Sequence, residues 1–188
     1  MVIDKPAGLP SQPARGGSDS VLGRLGANAR LPHRLDAAAS GLLLVTLHPA
    51  ATAAVGRAFQ ERSLKRTYLA VLDGHVEAST TWERPVGGKS ARSHVEPLAH
   101  GAGCTAVRLT LDTGRKHQLR IHAALAGHAI VGDRRYGDEV AGRWSRLALH
   151  AWGLTLTHPI TKDTHRWEAA LPDDLRPLFE SAGHAAHP

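Results

Sequence analysis

A chain of 188 residues with 42% hydrophobic content can bury one core without disulfides, since about 70% of the unfolded surface is removed from water at this length, and a second independent core is not expected. Its one cysteine, Cys104, excludes an intrachain cystine scaffold and a multi-thiolate metal centre and fits the reducing cytoplasm. A formal charge of +6, a pI of about 10.1 and 13 histidines point to a polyanionic partner such as nucleic acid, and no apolar run approaches the ~18 residues of a membrane span.

Taken in chain order, the opening Met1-Val-Ile-Asp4-Lys-Pro places charge and proline where a signal peptide has its apolar region. Residues 5–30 are rich in Gly, Pro and Ser and predict loop, with one short helix near Val21 to Leu25. Ser40 to Leu47 reads as a buried strand, and Pro49 opens a helix with Ala51, Val55, Ala58 or Phe59, and Arg62 on successive turns. Thr67 to Leu72 is a strand closed by the turn Asp73-Gly74. Through 77–103 the glycines and Pro85 give only weak strand signals. Ala106 to Asp112 alternates apolar and polar residues as a half-buried strand does. Thr113-Gly114 breaks it, His117 to Leu125 has helical spacing up to Gly127, and Leu147 to Thr157 returns to strand alternation. Residues 181–188 offer little to bury and predict a flexible tail. Short strands with few helices predict an α+β fold with a largely antiparallel sheet.

Three clusters carry potential chemistry. Pro32-His33-Arg34-Leu35-Asp36 feeds the Ser40 strand, a position that can aim a carboxylate into a cleft as base, nucleophile or ligand; a surface Arg34–Asp36 pair reads the same way. Thr113 to His122 packs Arg115, Lys116, His117, Arg120 and His122 behind a strand end, suited to phosphate or to a solvated helix. His117 and His122 lie about 140° apart on a helix, which disfavours a shared metal. Lys65 to Val71 contains Tyr68, either a base-stacking ring or a core residue.

Together these stretches resemble the RluA-type family of pseudouridine synthases, which isomerise uridine to pseudouridine in structured RNA. Asp4-Lys-Pro-Ala-Gly8 resembles the family's first motif, and His33-Arg-Leu-Asp36 with Ser40-Gly-Leu-Leu-Leu44 its second. Lys65 to Val71 resembles the tyrosine strand. Gly114 to His122, Gly127 to Asp133 and Tyr136-Gly137 resemble the third motif, and Leu149 to Pro159 the closing strand. The resemblance implies one catalytic domain over 1–180, with a mixed, mainly antiparallel sheet, flanking helices and a central RNA-binding cleft.

It also implies roles. Asp36 is the catalytic carboxylate, Arg120 its ionic partner, Tyr68 the ring that stacks on uracil, and Arg34 the side chain that fills the vacated stack. His33, Arg115, Lys116, His117 and Lys5 are RNA contacts. The isomerisation needs no metal or organic cofactor. The partner is structured RNA, 23S ribosomal or transfer RNA, with no obligatory protein partner. Ala39 and Ala129 stand where the family usually has Thr and Pro, which implies adjusted loop packing. The family's usual further strand before Val2 is expected to lie upstream of this start or to be truncated, and the short loop Pro10-Ser-Gln-Pro-Ala-Arg15 with Asp19-Ser20 is most similar to the compact subgroup without an S4-like domain, which modifies both 23S ribosomal and transfer RNA. The alternatives are a non-catalytic RNA binder, from the charge, and a metal hydrolase, from the histidines.

Overall fold

The structure, a computed structural model, describes the chain apart from residues 14–16, 18, 62, 138–143, 159–160 and 186–188. Arg15, Arg62 and Pro159 of the sequence reading therefore lie outside the described residues. The chain divides into two compact units, one of Met1–Arg66 with Ala151–Ala169, the other of Thr67–His150 with the residues from Ala170 onward.

In the first unit, β1 (Val2–Lys5) pairs antiparallel with β2 (Ser40–Leu44), from Val2 opposite Leu44 to Lys5 opposite Gly41. Helix α1 (Val21–Leu25) starts at Ser20, whose hydroxyl accepts the Gly23 N–H at 3.0 Å. Helix α2 (Pro49–Gln60) begins at a proline whose missing N–H the first turn does not require. Strands β7 (Leu149–Thr157, of which this unit holds Ala151 onward) and β8 (Thr164–Glu168) form an antiparallel pair, and β2 lies between β1 and β7. Leu42 and Leu44 of β2 pack with Val55 and Ala58 of α2, Leu154 and Leu156 of β7, and Leu64. Leu43 and Val45 are fully buried as well. The run Leu42 to Val45 is thus apolar on both faces because both are covered.

In the second unit, β3 (Leu64–Asp73, of which this unit holds Thr67 onward), β6 (Cys104–Leu111), β5 (Ser93–Gly101) and β4 (Thr80–Trp82) run antiparallel in the spatial order β3-β6-β5-β4. Two helices, α3 (Gln118–Leu125) and α4 (Arg176–Ser181), belong to the same unit. The Asp73-Gly74 turn forms as expected, with Gly74 at φ 77°. The class is α+β. Among the described residues no helix is long and apolar enough to cross a membrane.

Five elements escape the sequence pattern, the first of them the opening strand β1. Strand β5 contains Pro97, which lacks the N–H of a regular ladder, and the register shifts between Pro97 and Ala99 to absorb it. Strand β4 is only three residues long. Strand β8 is mostly exposed and shows little alternation, and α4 is short and proline-bearing. The expected tail also starts too early at Ser181. Ala182 is fully buried, and a Cβ on Gly101 would strike the Ser181 carbonyl, so residues 181–183 lie against His100 and Gly101.

Candidate active site

The loop that carries Asp36 is tied down at nearly every other residue. Ser11 Oγ donates to the Leu35 carbonyl at 2.7 Å and accepts the Leu35 N–H at 3.0 Å. The Gly8 N–H donates to the Ala37 carbonyl at 2.8 Å, and the Ala39 N–H to the Asp36 carbonyl at 3.1 Å. Between these anchors the Asp36 side chain is half-buried and Arg34 is exposed. The loop then enters β2 through Gly41, at φ 109°, where a Cβ would run into the backbone of Ala151 on β7.

His33 and Lys5, expected as RNA contacts, are both buried and make their hydrogen bonds inside the fold. His33 is buried, and its Nε2 accepts the Leu44 N–H at 3.0 Å. Its ring lies 5.5 Å from that of Phe59, over which the Arg66 guanidinium stacks at 4.9 Å. Burial first, and the Arg66 charge second, push the imidazole down to about 3, so His33 works as a neutral acceptor. Lys5 has no exposed surface, and its Nζ donates to the carbonyls of Pro6 at 2.7 Å, Leu9 at 2.9 Å, Ala37 at 3.2 Å and Ala39 at 2.6 Å. An ammonium taken out of water must be satisfied by such acceptors. Here it clamps the backbone on the far side of Asp36 to the end of β1.

The second unit supplies the remaining expected residues. Tyr68 on β3 stands opposite Leu109 and is 5% exposed. At the start of α3, His117 adopts the left-handed conformation at φ 57°, while Arg115 and Lys116 before it are exposed. Arg115 Nε donates to the Ser90 carbonyl at 3.1 Å. Arg120 is buried and donates to Asp133 twice, Nε to Oδ2 at 2.8 Å and Nη2 to Oδ1 at 2.7 Å. Asp133 Oδ1 also accepts the N–H groups of Arg135 and Tyr136. Burial pushes this carboxyl up, but Arg120 and those two amides outweigh it and hold the group below the usual carboxylate range. The Tyr136 ring lies 5.0 Å from the Arg120 guanidinium carbon, and its hydroxyl is 2.8 Å from His117 Nδ1.

A buried polar chain fixes the base of α3. The Arg84 carbonyl takes the Nε2 proton of His122, so His122 Nδ1 accepts from Ser93 Oγ at 2.9 Å. Ser93 Oγ in turn accepts from Gln118 Nε2, while Gln118 Oε1 accepts from Thr113 Oγ1 and the Arg115 N–H. Each proton has one direction, and every group is satisfied. His117 and His122 thus serve different partners, and among the described residues no three His, Cys, Asp or Glu side chains gather where they could hold a metal. No pattern in the sequence marks Ser11, Gln118 or Ser93 as functional; the one local signal is Asp133-x-x-Tyr136, the spacing of a carboxylate that caps the turn following it.

The model of the family described as RNA pseudouridylate synthase matches residues 1–125. The chain is 34% identical to ribosomal large subunit pseudouridine synthase D of Nitrosomonas europaea, over all of this chain and 64% of that protein. It is 39% identical to dual-specificity RNA pseudouridine synthase RluA of Yersinia pestis, over 85% of this chain and 88% of that protein. Among solved structures it is similar to human RNA pseudouridylate synthase domain containing 1, with a TM-score of 0.73 and 30% identity over 94% of this chain and 81% of that one.

Proposed function

The chain belongs to the RNA pseudouridylate synthase family, and from that premise we propose that it isomerises uridine to pseudouridine in structured RNA with Asp36 as the catalytic carboxylate. Asp36 attacks the uracil ring or the ribose C1′, and by either route the N1–C1′ bond breaks. The base turns and a C5–C1′ bond forms, while C5 loses its hydrogen as a proton and N1 gains one. No atoms are gained or lost overall and no electrons leave, so the residues alone account for the chemistry.

The observation that carries this reading is the restraint on the Asp36 loop. Ser11, Lys5 and Gly8 hold Leu35, Ala37 and Ala39, and the carboxylate between them stays half-exposed. Such restraint is what a nucleophile needs, because holding reactants in register lowers the barrier before any bond forms. In this reading Arg120 pairs with Asp36, and a neighbouring guanidinium typically lowers a carboxyl pKa by about 1 to 3 units. Tyr68 stacks on the uracil, Arg34 fills the gap the flipped nucleotide leaves at a cost of a few kcal/mol, and Arg115 and Lys116 meet phosphates. The names of the relatives favour ribosomal RNA, transfer RNA or both as the target, met in the cytoplasm.

The test is tritium release from RNA carrying 5-³H-uridine, by the wild type and Asp36→Ala in parallel. Release by the wild type alone supports the reading. Equal release by both removes Asp36 from the chemistry, and release by neither from RNA lacking the modification leaves an RNA binder.

A further inference from the structure

Asp133 has no part in the chemistry proposed above, yet four hydrogen bonds converge on its fully buried side chain. Stability alone is a poor reason to keep such a group, since apolar replacements of buried ion pairs are often neutral or stabilising. The local chain is shaped to deliver it. Gly132 sits at φ 78°, and a Cβ there would collide with the backbone of Arg146, so only glycine lets this turn close. The amides of Arg135 and Tyr136 then fold residues 133–136 around the carboxylate, which sets the Tyr136 ring 5.0 Å from the Arg120 guanidinium carbon. The tyrosine is held in turn by His117, at 2.8 Å from its hydroxyl.

We infer that Asp133 is a positioning residue for Arg120, fixing one edge of its guanidinium while Tyr136 fixes one face, so that the group is held in one orientation for the reaction. The inference rests on the synthase reading. A guanidinium on a flexible stem carries large rotamer entropy. The clamp removes that freedom before substrate arrives, and the planar fork leaves only one direction in which the other edge can point. Asp133 therefore acts on turnover through Arg120 and touches neither RNA nor the reacting atoms.

The experiment is a double-mutant cycle on single-turnover tritium release, with Asp133→Asn, Arg120→Lys and the pair together. Asp133→Asn is expected to slow turnover about 30-fold with KM changed less than about threefold, as small misplacements of a reacting group do. In the Arg120→Lys background the same change is expected to cost less than about threefold, because its route to the chemistry is already gone. Losses that multiply, or unchanged turnover in Asp133→Asn, overturn the inference. Where Asp133→Asn does not fold, Tyr136→Leu keeps the ion pair and removes only the ring; about fivefold slower turnover is expected, again absent beside Arg120→Lys, and multiplicative losses overturn the inference there too. A wild type that turns over no RNA removes the synthase reading and this assignment with it, whereas an active wild type with multiplicative losses removes this assignment alone.

Discussion

His33 shows how one buried side chain can set the acid limit of the Asp36 loop. Its Nε2 must stay unprotonated to accept from Leu44, and burial with the nearby Arg66 charge holds its pKa at about 3. An unfolded histidine titrates near 6.5. Between those values the unfolded chain binds the extra proton, so stability rises with pH through that window. The contribution of His33 is complete above about pH 6.5 and is lost as pH falls toward 3, on the order of 5 kcal/mol in all. In His33→Gln an amide oxygen can accept the Leu44 N–H without titrating. Urea denaturation at pH 4.5 and 7 is expected to show a smaller stability difference for this variant than for the wild type. Equal differences would remove His33 as the source.

At the scale of elements, the meeting of β2 and β7 in the first unit depends on a single missing side chain. Gly41 combines φ 109° with a path that takes its α-carbon against the Ala151 backbone. An added methyl group meets main chain rather than a movable side chain, so the strands themselves must part. Gly41→Ala is expected to destabilise the protein by about 3 kcal/mol, from the strained backbone and the parted strands together. A denaturant midpoint within error of the wild type would show that the strands yield without cost. Because the same strand leads back to Asp36, the variant should also lose turnover at temperatures where it remains folded.

For the whole molecule, the charge of +6 is spread over cations in different circumstances. Arg24 is tied to Asp19, Arg92 to Glu83, Arg108 to Glu96 and Arg146 to Asp174. Where exposed, pairs of this kind contribute little to stability, but under the RNA-binding proposal they neutralise part of the field that RNA would meet. Arg115 and Lys116 stand exposed at the start of α3. Under the RNA-binding proposal, every phosphate that no longer meets a cation should reduce the slope of log affinity against log salt by about 0.7 to 0.9. The double variant Arg115→Ala with Lys116→Ala is expected to flatten that slope by roughly 1.5, while Arg108→Ala leaves it nearly unchanged. An unaltered slope in the double variant would place the phosphate-binding cations elsewhere.

The sequence by itself determined the family, the α+β class and the elements with strong periodicity: α1, α2, β2, the centre of β3, β6, α3 and β7. These were legible because a buried face repeats every two or 3.6 residues and because glycine and proline mark the ends. Ordered motifs singled out Asp36, Tyr68 and Arg120. Burial and pairing are different in kind, since they depend on what other segments bring to a residue. In a basic chain Lys5 and His33 look like RNA contacts, yet four carbonyls from two segments enclose one and the Leu44 amide holds the other. The proline bulge in β5 and the exposed strand β8 depend on the partner strand of their hairpins, and the burial of Ala182 on a segment distant in sequence. So does the clamp of Asp133 on Arg120, 13 residues away along the chain. Local pattern records which face of an element is apolar; only the folded chain decides which polar atoms meet across it.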